Sequence, residues 1–494
     1  MRKIVLVLAS VALAVGLLFF GSYTGSTDHI SKAKAQTVTA AAAPPNIIFI
    51  LTDDMRKDDM MYMPKTHSLL REPGMGFRNA FVSNALCCPS RATIMRGQYS
   101  HNNGVWSNSS TDSSSTTSGG WQAYQDNGNE ADNVATRLDS AGYRTGLFGK
   151  YLNNYTNTTF QPQGWDRWFA AFSAGDARYF NYDVNDQGTI RHFGTSASDY
   201  KTDVISRQTN AFISNSAAAG TPFFAHVAPI APHDPATPAP SDLHAYDGVR
   251  APRLTSFNEK DVSDKPSWIR QLPRLTSDQI AAVDNRHEKR VESLQAVDDL
   301  VEGVVSELKN AGVLSNTYIF FTSDNGFHHG EHRIPWQKWR PYEEDIQVPL
   351  VVRGPGVVAG STTYNLALNT DYLPTFTNLA GAQRPPYVDG RSLEPVLHEN
   401  ATSWRSAILL EAAANYSPAY RGIRTVNTST ITRRKYVEYT GGARELYNLE
   451  ADDYELTNRY DFAAPPEALA ARLQELKSCG ADAAVTCRMA EDGP

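Results

Sequence analysis

The feature that most constrains the fold is a series of short, wholly apolar runs separated by segments with helical spacing. Residues 46–51 (NIIFIL) lack polar alternation, which is typical of a strand buried on both faces of a parallel sheet. Helical spacing occurs in 132–141 and 293–309, and each segment precedes a further strand-like run, TGLFGK or YIFF. This alternation predicts an α/β fold with helices on both faces of a large, mainly parallel sheet.

The ends of the chain follow different patterns. Arg2 and Lys3 precede the apolar run 4–20, and Ala33-Lys34-Ala35 has the small-x-small form of a cleavage site, which predicts a signal peptide or N-terminal anchor in 1–35. A linker at 36–45 ends in two prolines. We therefore expect a secreted or otherwise extracytoplasmic protein, with membrane attachment only if the N-terminal segment stays uncleaved.

After about residue 397 the pattern changes to short β-like runs, AILLEA, TSTITRR and KYVEYT, followed by a charged amphipathic segment at 466–477. The main α/β domain is therefore assigned to 46–397. A smaller α+β domain of antiparallel strands and one helix is assigned to 398–494. Residues 107–120 are predicted to be an exposed loop, and 229–275 a long surface excursion of the kind that shapes substrate pockets.

Charge and cysteine content exclude two classes of protein. The net charge is −7, from 46 Lys and Arg against 53 Asp and Glu, with no basic tail or stripe, so nucleic acid is not an expected partner. Four cysteines are too few for a disulfide scaffold. Cys479 and Cys487 lie close together in an exported chain, which favours a local disulfide over two free thiols.

Two acidic pairs follow apolar strands. Asp53 and Asp54 come after NIIFIL, and Asp324 and Asn325 come just after YIFF. Ligands in open α/β sheets gather at the carboxyl ends of the strands, so these pairs converge if their strands are neighbours. Three carboxylates and an amide form an all-oxygen site suited to Ca²⁺ or Mg²⁺. The alternative is that each pair only caps a turn.

A third element surrounds Cys87 in the stretch CCPSRATIMRG, residues 87–97. Pro89 suits the first turn of a helix and Gly97 suits its end, which leaves Cys87 at the helix N-terminus, where the dipole attracts anions. Arg91, one turn along, adds a full positive charge. The residues by themselves therefore predict a reactive cysteine in an electropositive pocket.

The same stretch resembles the sulfatase signature, Cys-x-Pro-Ser-Arg with a glycine six residues after the arginine, and all five defined positions match. The segments TDDM, GKYLNNY, APHDP, FTSDNG and ELYNLEADDYELTN also resemble sulfatase segments in the family's order. Together they span roughly residues 46–478. The resemblance implies an alkaline-phosphatase-like fold and identifies 46–397 as the catalytic domain.

The resemblance also implies a nucleophile and a metal site. In sulfatases the first cysteine of the signature is oxidised by a formylglycine-generating enzyme, so Cys87 rather than Cys88 is expected to become Cα-formylglycine, whose hydrate attacks sulfur. One divalent cation is implied, Ca²⁺ in preference to Mg²⁺. Its implied ligands are Asp53, Asp54, Asp324, Asn325 and the modified Cys87.

Four further positions acquire roles by resemblance. Arg91 is expected to hold the gem-diol of the formylglycine and to offset the carboxylates. Lys150 in GKYLN and Lys338 in PWQKWRPYEEDIQVPL are expected to bind sulfate oxygens. His233 in APHDP is expected to contact the sulfate and to act as general acid toward the leaving oxygen.

One position departs from the arylsulfatase pattern, in which a histidine stands two residues after the first lysine (GKWH). Here Leu152 and Asn153 follow, so the base for sulfate release is not assigned. His328, His329 and His332 are candidates for that base or for a substrate contact. GKYLN, LCCPSR and YEEDIQVPLVVRGPG resemble instead the branch of N-acetylglucosamine-6-sulfatases and heparan 6-O-endosulfatases.

The expected function is hydrolysis of O-sulfate esters, of sulfated amino sugars or glycosaminoglycans on branch resemblance, or of aryl sulfates. Two alternatives remain at this point. One is a phosphatase or phosphonate monoester hydrolase on the same scaffold, because sulfate and phosphate esters are similar tetrahedral anions. The other is a non-catalytic protein that keeps an unmodified Cys87 and binds sulfated glycans.

Overall fold

A ten-stranded mixed sheet dominates the part of the chain that the computed structural model describes, namely residues 43–109, 119–156, 158–172, 179–414, 417–427, 432–480 and 484–493. The predicted signal segment 1–35 and most of the predicted loop 107–120 lie outside these residues. Among the described helices, none combines the length and the apolar character needed to cross a bilayer.

The ten strands of this sheet are β1 (Asn46–Thr52), β2 (Met75–Phe77), β4 (Arg144–Lys150), β5 (Arg167–Ala171), β6 (Tyr182–Asp186), β7 (Thr189–Phe193), β8 (Phe223–Ala228), β9 (Thr317–Ser323), β10 (Leu350–Arg353) and β11 (Ser361–Thr363). Their order across the sheet is β11-β2-β10-β9-β1-β8-β4-β5-β6-β7, and the central strands β9, β1, β8, β4 and β5 run parallel to one another. Antiparallel strands flank them on both sides. The short strands β3 (Ala80–Phe81) and β12 (Ala367–Leu368) pair separately.

Strand β1 explains why the sheet has helices on both faces. Ile47 and Phe49 point into one apolar core, whereas Ile48 and Ile50 point into the other, and none of them is exposed. Because both faces are buried, the sequence of β1 contains no polar alternation. The predicted fold class is confirmed.

The main helices are α1 (Cys87–Arg96), α2 (Gly120–Asp126), α3 (Val134–Ser140), α4 (Lys201–Ala218), α5 (Ser277–Asn310), α6 (Tyr372–Leu379), α7 (Glu467–Ser478) and α8 (Ala484–Asp492). Helix α5 begins 16 residues before the predicted position 293. Its start is a capping box in which the Thr276 hydroxyl accepts from the backbone N–H of Gln279 and the Gln279 side chain accepts from that of Thr276. The prediction missed this start because the first half of the helix carries charged residues where apolar spacing would be read.

Downstream of residue 397, strands β13 (Ala407–Ala412), β14 (Tyr420–Asn427), β15 (Thr432–Tyr439) and β16 (Arg444–Asn448) form an antiparallel sheet, and α7 follows it. The expected α+β character is confirmed, although TRR and KYVEY belong to one strand rather than two. Leu409 and Leu473 belong to the same apolar cluster as Phe49. The predicted disulfide between Cys479 and Cys487 is present. The boundary at 397/398 stays a prediction.

Candidate active site

Neighbouring parallel strands bring the two acidic pairs together. Strands β1 and β9 pair up to Thr52 and Ser323, so the next residues leave the same edge of the sheet side by side. The Asp54 backbone N–H donates to Asp324 Oδ1 at 3.1 Å, and Asn325 Nδ2 donates to Asp54 Oδ1 at 2.7 Å. The turn requires a left-handed conformation at Asp54, with φ of 66°. All four residues of the two pairs are buried.

Helix α1 delivers Cys87 to this edge. Leu86 is extended, Cys87 is the first helical residue, and the helix ends at Gly97 in the left-handed conformation, as its sequence predicts. Cys87 Sγ lies 3.3 Å from Asp53 Oδ1 and 3.8 Å from Asp54 Oδ1. The next side chain, Cys88, is buried in the apolar core instead. The geometry therefore distinguishes the two adjacent cysteines.

Three cations converge on the same carboxylates. Arg91 Nε donates to Asp324 Oδ2 at 2.7 Å, and Lys150 Nζ donates to Asp53 Oδ2 at 2.5 Å. Lys338 Nζ contacts an Asp54 oxygen and lies 2.8 Å from Cys87 Sγ. Three carboxylates are thus balanced by three cations, so one divalent cation would leave the cluster with an excess of two positive charges.

The electrostatics correct the expectation of a reactive thiolate. Burial and the charge of Asp53 raise the pKa of the Cys87 thiol, and these effects outweigh the opposing charges of Lys150 and Lys338. The thiol therefore stays protonated at neutral pH and is a weak nucleophile. The sequence reasoning counted the helix dipole and Arg91 but not the carboxylates that face them.

The carboxylates themselves differ in pKa. Burial by itself raises the pKa of Asp53, but the charges of Lys150, His233 and Arg91 hold it well below its ordinary value. The pKa of Asp324 is raised, because burial and the neighbouring Asp53 outweigh Arg91. A bound divalent cation would reduce the electrostatic repulsion between these buried carboxylates.

His233 stands at the entrance of the site. Its Nδ1 lies 2.8 Å from the backbone carbonyl of Asp234, which can only accept, so Nδ1 carries a proton. Nε2 lies 3.6 Å from Asp54 Oδ2. A cavity of about 330 Å³ opens here, with Trp336 and Lys338 among its lining residues.

The donor set fits a hard cation. Ligand atoms of Asp53, Asp54, Cys87 and His233 all lie within 4.8 Å of one another. Asn325 Oδ1 is buried and has no hydrogen-bond partner among the described residues. An unpaired buried amide oxygen is costly, and coordination to a cation would satisfy it.

All nine predicted site residues thus lie at one edge of the sheet. Sequence reasoning missed Arg290, which donates to the backbone carbonyls of Pro232 and Asp54 and so ties helix α5 to both loops of the site. It stands in the charged run DNRHEKR, which resembles an ordinary solvated helix face. No local signal distinguishes it from its exposed neighbours.

Two of the three candidate bases have other hydrogen-bond partners. Leu152 is buried in the apolar core. His328 Nδ1 bonds Asp345 at 2.6 Å, and its backbone N–H donates to the carbonyl of Gln337, beside Lys338. His332 bonds Glu259 at 2.7 Å. These two histidines therefore hold the loop that carries Lys338.

Comparison with known proteins gives a consistent result. The family model "Sulfatase" matches residues 45–382, and the model "N-sulphoglucosamine sulphohydrolase, C-terminal" matches 330–479. N-acetylglucosamine-6-sulfatase from Homo sapiens is 36% identical over 91% of this chain and 87% of its own length.

Two solved structures share the fold. One, described as a complex with its substrate D-glucosamine-2-N,6-O-disulfate, has a TM-score of 0.73 and 26% identity over 88% of this chain and 98% of its own. A phosphonate monoester hydrolase from Agrobacterium radiobacter has a TM-score of 0.66 over 88% of this chain and 95% of its own. At 20% identity the latter likeness concerns the fold alone.

Proposed function

The chain belongs to the sulfatase family and is a sulfuric ester hydrolase, and from this premise we propose that it removes O-sulfate groups from sulfated amino sugars of the glycosaminoglycan type. Catalysis would use Cys87 in its formylglycine form and one bound Ca²⁺. The observation that carries the proposal is the position of Cys87 Sγ, 3.3 Å from Asp53, 3.8 Å from Asp54 and 2.8 Å from Lys338 Nζ.

A hydrated aldehyde at position 87 provides the nucleophile that the protonated thiol does not. One of its two hydroxyls loses a proton and its oxygen bonds to sulfur, while the bond between sulfur and the sugar oxygen breaks and that oxygen receives a proton. The second hydroxyl then loses its proton, the bond between carbon and the sulfate oxygen breaks, and the aldehyde returns. Water rehydrates it, so the net reaction is hydrolysis.

Each cation at the site then has a task. Arg91 would hold the gem-diol, and Lys150 and Lys338 would turn from the carboxylates toward the sulfate oxygens. His233 would donate the proton from Nε2 to the leaving oxygen, because its Nδ1 proton is engaged with a carbonyl. Arg91 is held by Asp324, and His233 by the carbonyl of Asp234, before substrate binds, and such preorganisation favours electrostatic stabilisation of the transition state.

The metal would be held by Asp53, Asp54, Asp324 and Asn325, together with the oxygens at position 87. When bound, it supplies positive charge that offsets the carboxylates and polarises the sulfate group. Ca²⁺ accepts six to eight oxygen ligands in flexible geometry, which suits a site of carboxylates and one amide. The same donor set takes Mg²⁺ if water completes an octahedron.

Two findings support the amino-sugar substrate. The human relative is an N-acetylglucosamine-6-sulfatase, and the substrate in the similar solved structure is a disulfated glucosamine. The cavity beside His233 is lined by the partly exposed Trp336, whose apolar ring suits contact with a sugar. Export, inferred from residues 1–35, would bring the enzyme to extracellular glycans after a formylglycine-generating enzyme has modified Cys87.

Peptide mass spectrometry tests the nucleophile. In protein from a host that contains a formylglycine-generating enzyme, the peptide with Cys87 should lose one sulfur and two hydrogens and gain one oxygen. Cys87→Ala should abolish sulfatase activity, and Cys88→Ala, a change at the adjacent buried cysteine, should retain it. Unmodified thiol at position 87 in fully active protein would overturn the mechanism. Unmodified thiol in inactive protein from the natural host would overturn it too and would favour a sulfated-glycan-binding protein.

A substrate panel tests the reaction class. We expect kcat/KM to be highest for N-acetylglucosamine 6-sulfate or a 6-sulfated glycosaminoglycan fragment, lower for 4-nitrophenyl sulfate, and lowest for 4-nitrophenyl phosphate and a phosphonate monoester. A dominant rate on the phosphate or phosphonate would favour the hydrolase class that shares this fold. A dominant rate on the aryl sulfate would leave the reaction intact and overturn the substrate assignment.

A further inference from the structure

A second group of ligand-type side chains, outside the predicted catalytic set, consists of Asp59, His287 and His329. Asp59 lies in the 3-10 helix Asp58–Tyr62, His287 in α5, and His329 in the loop after β9. Each offers one ligand atom, and these atoms all lie within 4.8 Å of one another. The three residues are at most 2% exposed. Segments far apart in sequence therefore meet at one buried point.

The hydrogen bonding of the two imidazoles distinguishes them from most buried histidines. None of the ring nitrogens of His287 and His329 has a hydrogen-bond partner within the described part of the chain. The rings meet edge to face with centroids 5.0 Å apart, and Tyr62 and Phe327 contact them from other sides. Buried polar atoms normally have hydrogen-bond partners, and leaving one unpaired is costly. Two such rings beside a carboxylate indicate a shared ligand that accepts their lone pairs.

Both rings are also in the protonation state that a metal needs. Burial, with the nearby Arg56, lowers the pKa of His287 to about 4 and that of His329 well below its ordinary value, so both are neutral. Burial and the neighbouring Asp58 raise the pKa of Asp59 to about 6, which leaves its carboxylate ionised at neutral pH.

The positive charges nearby are offset by other groups. Arg56 bonds Asp58 and Glu331, each at 2.8 Å. Arg290 donates to two backbone carbonyls and lies over the ring of Phe327. Asp58, Asp59 and Glu331 together carry three negative charges against these two guanidinium groups. The local balance therefore accommodates a cation.

We propose that Asp59, His287 and His329 form a binding site for one divalent cation of the Zn²⁺ class, separate from the carboxylate site at Asp53 and Asp54. Two imidazoles and one carboxylate, with a fourth position left for water, form a ligand set that Zn²⁺ accepts, whereas Ca²⁺ selects oxygen ligands. Ligand bonds of about 2.0–2.2 Å place two donors of a tetrahedral ion about 3.4 Å apart. Ligand atoms that now lie within 4.8 Å of one another would therefore approach by up to about 1.4 Å on binding the ion.

The site would act on the active site through α5. His287 and Arg290 stand one turn apart on that helix, and Arg290 donates to the carbonyl of Asp54. An ion that joins His287 to His329 and Asp59 would fix the helix against the loops after β1 and β9. The bound metal is thus expected to be structural, and its presence does not depend on the substrate proposed above.

Metal analysis with matched variants tests the site. Purified protein with its disulfide intact and saturated with Ca²⁺ is titrated with Zn²⁺, and bound zinc is measured by elemental mass spectrometry and by the shift in Tm. Wild type should bind one zinc per chain with an increase in Tm, and His287→Gln and His329→Gln should bind it at least about tenfold more weakly. His226→Gln is the control, because His226 is also buried and its ring nitrogens also have no hydrogen-bond partner among the residues that the structure describes.

Two further measurements locate the zinc and identify its ligands. Asp54→Asn should retain the zinc, because Asp54 belongs to the carboxylate cluster and not to the proposed site. X-ray absorption at the zinc edge should show two imidazole ligands in wild type, a result that does not require any variant to fold. No zinc uptake by wild type, undiminished uptake by His287→Gln and His329→Gln, loss of the zinc in Asp54→Asn, or a zinc without imidazole ligands would each overturn the proposal.

Discussion

Arg91→Gln is the substitution whose consequence the structure determines most sharply. Arg91 Nε and Asp324 Oδ2 are 2.7 Å apart, and neither side chain is more than 1% exposed. Two unit charges at that distance attract by about 6 kcal/mol at an effective dielectric constant of 20. Breaking a buried pair costs about 3–5 kcal/mol, because the remaining charge keeps its desolvation penalty. In the presence of a chelator we expect the variant to lose about that much free energy of unfolding.

The increase of Tm with calcium distinguishes this effect from the loss of a buried ion pair elsewhere in the protein. Without the guanidinium, three carboxylates face only two lysine ammonium groups, so the site should bind Ca²⁺ more tightly than in wild type. Calcium should therefore raise the Tm of Arg91→Gln by more than it raises that of wild type, although the variant loses sulfatase activity. The assay is calorimetric unfolding in chelator and across a calcium series.

Arg405→Gln provides the matched control. Arg405 is as deeply buried and pairs with Asp371, but it lies outside the carboxylate cluster. The Arg405→Gln variant should lose a similar free energy of unfolding, and calcium should raise its Tm by as much as it raises that of wild type. A loss below about 1 kcal/mol for Arg91→Gln in chelator, or an equal calcium response in Arg91→Gln and wild type, would refute the reasoning.

Three other predictions concern a proton donor, a pH-dependent pair and a helix cap. His233→Asn should lower activity on an amino-sugar 6-sulfate by about 10²–10⁴ and on 4-nitrophenyl sulfate much less, because nitrophenolate leaves unprotonated; equal losses would contradict the donor role. Burial by itself lowers the pKa of His101, but the charge of Glu411 outweighs this effect and raises that pKa to about 9. The contribution of the His101–Glu411 pair to the free energy of unfolding is therefore complete below the ordinary histidine pKa and is lost as the pH rises through about 9. The difference in Tm between wild type and His101→Gln should accordingly shrink between about pH 6 and about pH 10, whereas a constant difference would count against this ion pair. Thr276→Ala removes the hydroxyl that accepts from the Gln279 N–H and should cost about 1 kcal/mol in chemical denaturation, with Thr276→Ser as the control that keeps the cap; equal stability of the two variants would show that the cap contributes nothing.

Much of the fold follows from local patterns in the sequence. The run 46–51 is apolar at every position because both of its faces are covered, and that property is visible without neighbours. Pro89 and Gly97 mark the ends of α1, because one fits the first turn and the other fits a left-handed cap. By contrast, the start of α5 was missed, since the first half of this helix buries polar residues such as His287 and Arg290 and therefore lacks the apolar period of a core helix.

The sequence by itself determined the α/β class, the family and the identity of the residues that meet at the candidate active site. Only the tertiary structure decided how their charges combine. The register of β1 against β9 places carboxylates beside Cys87, which makes its thiol weakly acidic rather than reactive. Packing likewise separates Cys87 from Cys88 and joins Asp59, His287 and His329 across the fold. Electrostatic energies depend on distance and burial, and neither quantity is a property of position along the chain.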